Sequence, residues 1–242
     1  MKKTLSLILA IPLYLVSAGA AAAYVITEVE DRLMLRPFAK TLLVCAFALF
    51  LFLGSRLISA NAFPHRKGLI MKATFWGVFA AYLILLVSFT FFDAYFGRAD
   101  FRFIFTAPDE VTGIYTKTSI NLIPFKNIGN FTRQFLKRNL SPEFFLTNVG
   151  GNLLAFMPMA FFIPLLTKRY SRFLPFALFT GLCIIAVEGM QIILLTGFCD
   201  IDDLILNLGG ACVAYAILRI PFISRLVSRI TGLEYPNKNA LK

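Results

Sequence analysis

The sequence predicts an all-α polytopic helical membrane protein, and three observations predict it. Of its 242 residues, 58% are apolar and only 15% charged, against about 25% charged in an average soluble domain, and the mean hydropathy is +0.75. The apolar residues gather in six runs of about 20, the length of helix that crosses a hydrocarbon core. Lys and Arg outnumber Asp and Glu by 24 to 13. That surplus sits in short clusters between the runs rather than in basic stripes, so the implied partner is the lipid bilayer and not nucleic acid.

The runs are Thr4 to Ile26, Phe38 to Leu57, Leu69 to Phe92, Phe144 to Leu166, Phe173 to Leu195 and Ile201 to Phe222. Their direction follows from Lys and Arg, which accumulate on the cytoplasmic side. Lys2 and Lys3 mark the first cytoplasmic segment, and Arg56, Arg66, Lys67 and Lys72 the second. Lys168, Arg169 and Arg172 mark the third, and Arg219, Arg225, Arg229, Lys238 and Lys242 the fourth. Glu28, Glu30 and Asp31 follow the first run, and Asp200 precedes the sixth. Six spans with both termini in the cytoplasm satisfy every loop. The first run has a second reading, because Lys2-Lys3, the apolar stretch Leu5 to Val16 and the small residues Ser17 to Ala23 also describe a secretory signal peptide. Its cleavage would leave five spans in the same orientation and an external N-terminus.

The third loop, Asp93 to Glu143, is external in this scheme. Phe101, Phe103 and Phe105 alternate with Arg102 and Ile104. Further on, Ile128, Phe131, Phe135 and Leu136 recur at helical spacing against Arg133, Lys137 and Arg138. A basic amphipathic helix of this kind lies in the headgroup plane or packs its apolar face on the ends of the spans, and both arrangements stay open. Ser141-Pro142-Glu143 has the form of a helix start, with Ser141 as N-cap, proline at the first position and an acid at the positive end of the dipole.

The chemistry is restricted by what is scarce. The single histidine, His65, excludes a His-rich metal site, and its place in a basic loop without a nucleophile motif speaks against a His-based triad. Cys45, Cys183, Cys199 and Cys212 form no CxxC and read as small packing residues. The polar residues inside the last three runs are the informative ones. Asn148 and Asn152 share a face of the fourth, Glu188 and Gln191 a face of the fifth, and Asp200, Asp203 and Asn207 recur around the start of the sixth. At about 1.5 Å per residue, Asn152, Glu188 and Asn207 reach one level roughly 9 to 12 Å below the outer ends. Asn148, Gln191, Asp202 and Asp203 lie nearer the surface.

Three readings of this layer stay open. Asn and Gln on facing membrane helices serve as hydrogen-bonding glue, with Gly150-Gly151 and Gly209-Gly210 permitting close approach. Alternatively, Asp200, Asp202, Asp203 and Glu188 form an outward-facing acidic pocket for a cationic amphiphile, an envelope lipid or a divalent cation, which would be held by the three aspartates. The third is an enzyme acting on an envelope lipid or peptidoglycan precursor, with Glu188 and Asp202 or Asp203 as the acid and base pair. No other cofactor is implied, and the oligomeric state is unreadable.

Asn121-Leu122-Ile123-Pro124-Phe125, then Asn148 through Pro158 (NVGGNLLAFMP), Glu188-Gly189-Met190-Gln191 and Asp200 through Gly210 (DIDDLILNLGG) together resemble the VanZ-like membrane proteins. The resemblance runs from about Asn121 to Tyr215. It implies a VanZ-like membrane domain over residues 117–222, after an N-terminal membrane region of three spans, 1–116, and before a basic cytoplasmic tail, 223–242. It also implies a bacterial cytoplasmic-membrane protein with a link to low-level resistance to the glycopeptide antibiotic teicoplanin, and glycopeptide is therefore a partner to test. The ligand-binding candidates of the pocket reading are Asn121, Asn148, Asn152, Glu188, Gln191, Asp200, Asp202, Asp203 and Asn207. Many relatives carry an arginine just before the Asp-x-Asp-Asp segment. This chain reads Thr196-Gly197-Phe198-Cys199 there, leaving Arg133 or Arg138 as substitutes.

Overall fold

The computed structural model describes residues 2–30, 35–96 and 120–236. Asp31, the Phe101, Phe103 and Phe105 alternation, and the tail lysines Lys238 and Lys242 lie outside the described residues. Every apolar run is helical: α1 is Lys2–Val29, α2 is Pro37–Asn61 and α3 is Lys67–Val87, the last prolonged by a π turn at Ser88–Phe92. A two-residue strand β1, Ile120–Asn121, precedes the helix α4, Lys126–Leu136. The fourth span, Pro142–Leu166, is α5, followed by α6 (Phe173–Ile193), β2 (Cys199–Asp200), α7 (Ile201–Leu218) and α8 (Pro221–Thr231). Among the described residues six helices are long and apolar enough to cross a membrane, and the chain is an all-α polytopic membrane protein.

Proline sets several boundaries. Pro37, Pro64 and Pro142 begin helical segments at positions whose N–H would be unpaired anyway. Ser141 caps α5 as expected, its Oγ accepting from Phe144 N at 3.2 Å. Within α5 a π turn spans Leu146–Gly150, and the helix breaks between Gly151–Ala155 and Met157–Leu166. Pro158 explains the break, since it has no N–H to offer the Leu154 carbonyl. The sixth span ends at Leu218 rather than at the expected Phe222. Pro221 there opens the separate amphipathic helix α8.

Contacts divide the chain into Met1–Val87 with Arg225–Tyr235, and Ser88–Ser224. In the first unit α1 and α2 pack along their length. Ser17 donates to the Phe47 carbonyl at 3.0 Å, Tyr14 and Ser55 share a hydrogen bond of 3.2 Å, and Lys40 pairs with Glu28 at 2.8 Å. The Arg56 guanidinium donates to the Arg229 and Ile230 carbonyls, so the last turn of α8 is capped from α2. The chain then turns through Gly232, whose φ of 69° is the left-handed conformation that glycine adopts without cost. The second loop and the chain after α7, both assigned to one side from their charges, thus meet on one side.

In the second unit α7 is the centre, packing on α5 and α6. At one end of α7, Tyr215 and Arg219 both donate to the Ser171 carbonyl, the tyrosine at 2.7 Å. At the other end β1 and β2 pair in parallel, Ile120 opposite Cys199 and Asn121 opposite Asp200. The third and fifth loops, also assigned to a common side, are therefore joined.

Candidate functional site

The β1–β2 end of α7 holds the polar residues that sequence reasoning selected, and the three aspartates there have separate tasks. Asp200 caps α7, accepting from Asp202 N at 2.9 Å. Its carboxylate also accepts from the side-chain amides of Asn121 at 2.8 Å and Asn127 at 2.5 Å. Asp202, 1% exposed, takes three backbone N–H groups, those of Phe125 (2.5 Å), Asn127 (2.7 Å) and Ile128 (3.0 Å). These are the first orphan donors of α4, so a carboxylate from α7 caps α4 and meets the positive end of its dipole. Phe125 is held there at φ 61°, a left-handed conformation that costs a non-glycine residue about 1 to 2 kcal/mol. Asp203 accepts from the Asn152 side chain on α5.

The amphipathic segment is α4 as expected, and its apolar face packs on the start of α5. Phe131 meets Phe144 edge-on at 5.6 Å, and Phe135 stacks on Phe145 at 4.5 Å. Lys126, Arg133, Lys137 and Arg138 face outward.

Behind the aspartates lies a buried layer. Glu188, 7% exposed, accepts from Asp200 N at 3.1 Å. One turn on, Gln191 donates to the Thr90 carbonyl of the π turn at 3.1 Å, and Asn207 donates to the Asp203 carbonyl at 2.8 Å. Asn148 turns back to the Phe144 carbonyl of its own helix at 2.9 Å. Sequence reasoning missed Asn127 and Thr196. The first is one residue inside a helix start, where a polar side chain is unremarkable, and the second carries no motif. Three buried oxygens near this end have no hydrogen-bond partner: Gln191 Oε1, Asn207 Oδ1 and Thr196 Oγ1. Among the described residues no group of three or more His, Cys, Asp or Glu is arranged to hold a metal ion.

A family model described as VanZ/LLP1 matches residues 79–223, more than half of the chain. The chain belongs to the VanZ/LLP1 family. Neither a curated protein nor a solved structure matches it. The VanZ/LLP1 match begins inside α3, well before Asn121, and so takes in the π turn whose Thr90 carbonyl holds Gln191. All nine expected binding residues fall within it.

Neither arginine expected to substitute before the Asp-x-Asp-Asp segment, Arg133 or Arg138, hydrogen-bonds to Asp202. Arg133 and Arg138 are exposed, and Asp202 is met by the backbone of α4 instead. Three charge-assisted N–H bonds converge on this one carboxylate.

Cys199, on β2, reports on this acidic surrounding. Burial first, then the charges of Glu188, Asp200 and Asp203, push its thiol pKa above the ordinary value. A raised pKa leaves less thiolate at any given pH, so alkylation of Cys199 is expected to be slow at pH 8 and to climb at higher pH than for a free cysteine. In a background lacking Cys45, Cys183 and Cys212, Glu188→Gln removes one of those negative charges. It should move the maleimide rate profile of Cys199 to lower pH, and an unmoved profile would show that Glu188 carries no charge there.

Proposed function

We propose that this VanZ-like unit binds a positively charged group, that of an envelope lipid or amphiphile or a cation, at the level of Glu188, from the side where β1 and β2 pair. The observation behind this reading is the set of buried oxygens without donors: Gln191 Oε1, Asn207 Oδ1 and Thr196 Oγ1. A buried acceptor left unpaired costs about 1 to 3 kcal/mol, and an ammonium or cation next to Glu188 is the chemistry that satisfies several acceptors and a carboxylate together. In this reading that side lies outside the cytoplasmic membrane of a bacterium, with both termini inside, and the distribution of Lys and Arg among the loops supports it. A link to envelope maintenance or to teicoplanin resistance is what the family resemblance adds.

The aspartates support the site rather than compete for the ligand in this reading, because Asp200 and Asp202 are filled with donors and Asp203 is met by Asn152. Binding should be measured by thermal shift and calorimetry on purified protein, with phosphatidylethanolamine, Mg2+ and Ca2+, and teicoplanin as separate probes. At least one probe should bind the native chain, and Glu188→Gln and Asn207→Leu should each weaken it about tenfold or more, with melting temperature held within a few degrees. Binding of no probe, or binding unchanged in both variants, overturns the proposal. Loss of folded protein in both variants would assign the layer to architecture alone.

A further inference from the structure

The strongest feature outside that layer is the groove where α4 ends and α5 begins. It has a volume of about 620 Å³ and is lined by Phe135, Leu136 and Leu140 on its apolar side and by Arg138 and Asn139 on its polar side, with the Ser141-Pro142 turn closing it. We propose that this groove is a docking site for the phosphate headgroup of an anionic bilayer phospholipid, with Arg138 as the group that recognises the phosphate.

Charge complementarity argues for this occupant. From Ile120 to Pro142 the sequence contains no acid, while Lys126, Arg133, Lys137 and Arg138 supply four cations. The first carboxylate beyond the groove, Glu143, accepts from the Tyr95 hydroxyl at 2.5 Å. The apolar surroundings match the other half of a lipid. Leu136 is 74% exposed beside the groove, and Leu122, Ile123 and Phe125 are each more than 60% exposed in the segment leading into α4. The stacking of Phe135 on Phe145 holds the groove against the first turn of a span, where bilayer lipid is the neighbouring molecule. A guanidinium presents the fork of donors that matches a phosphate.

The backbone adds a further point. Arg138 N donates to the Phe135 carbonyl and Asn139 N to the Gln134 carbonyl, both at 2.9 Å, a Schellman ending in which Arg138 takes the position that usually holds glycine. Its φ is 59°. A long cationic side chain thus stands where local structure favours none.

That conflict makes a clean test. The full chain in detergent is mixed with equal amounts of phosphatidylglycerol and phosphatidylcholine, and retained lipid is counted by native mass spectrometry. The native chain should retain phosphatidylglycerol preferentially, and less of it as salt is raised. Arg138→Gly should lower that retention about tenfold while the melting temperature stays or rises, since glycine relieves the left-handed strain. Arg138→Asn, which also accepts that conformation without a charge, should behave alike. Equal retention of the two lipids, undiminished retention in both variants, or full displacement by millimolar inorganic phosphate would each overturn the proposal.

Discussion

Asp202→Ala is expected to release α4 from the rest of its unit. The substitution leaves three part-buried backbone N–H groups, those of Phe125, Asn127 and Ile128, without the acceptor that each now has within 3.0 Å. Each orphaned donor costs about 1 to 3 kcal/mol, and removing one side of a buried charged contact about 3 to 5 kcal/mol in total. The Phe125 conformation loses its restraint at the same time. Thermal unfolding of the purified protein should show the loss directly. Hydrogen exchange should place it in residues 120–136, with the helices of the other unit unchanged. Asp202→Asn, which keeps one acceptor oxygen but no charge, should cost less, roughly 2 kcal/mol. Equal protection of α4 in the alanine variant would mean that the aromatic stacking on α5 suffices to hold it.

Gly210→Ala is expected to be nearly as damaging, and Gly209→Ala to be harmless. A Cβ on Gly210 would overlap the Leu153 carbonyl oxygen and stand 2.9 Å from its carbon, so main chain rather than a side chain would have to give way. Overpacking against a flexible neighbour costs about 1 to 3 kcal/mol, and a collision with the backbone of the Gly151–Ala155 piece of α5 belongs at the top of that range or above. A Cβ on Gly209 meets nothing within 4 Å, and replacing glycine by alanine inside a helix is itself favourable by up to about 1 kcal/mol. The two variants, one residue apart and chemically identical, should therefore melt on opposite sides of the native protein.

The six spans were legible because hydropathy over 20 residues is a local property, and the helix start at Ser141 followed from a capping rule of the same short range. The pair Gly209-Gly210 looked uniform in sequence, and only the crossing of α5 and α7 separates the glycine that faces a backbone from the one that does not. The π turns at Ser88–Phe92 and Leu146–Gly150 shift hydrogen-bond register without altering the apolar pattern, so no side-chain period betrays them. The partner of Asp202 was out of reach for a different reason. It is a set of backbone amides that becomes a binding surface only once α4 exists, and backbone donors leave no trace in residue type. One legible signal went unread, since Phe222, Leu226 and Ile230 recur every four residues beside Arg225 and Arg229 and describe α8 rather than a featureless tail.

The Asp202 clasp also bears on the order in which the molecule is completed. Its donors precede the carboxylate by 74 to 77 residues, and chains emerge from the ribosome N-terminus first. The segment from β1 to α4 is therefore made before α6 and α7. The acceptor for the start of α4 thus comes from the last of the six spans to be synthesised, and that span closes this part of the structure.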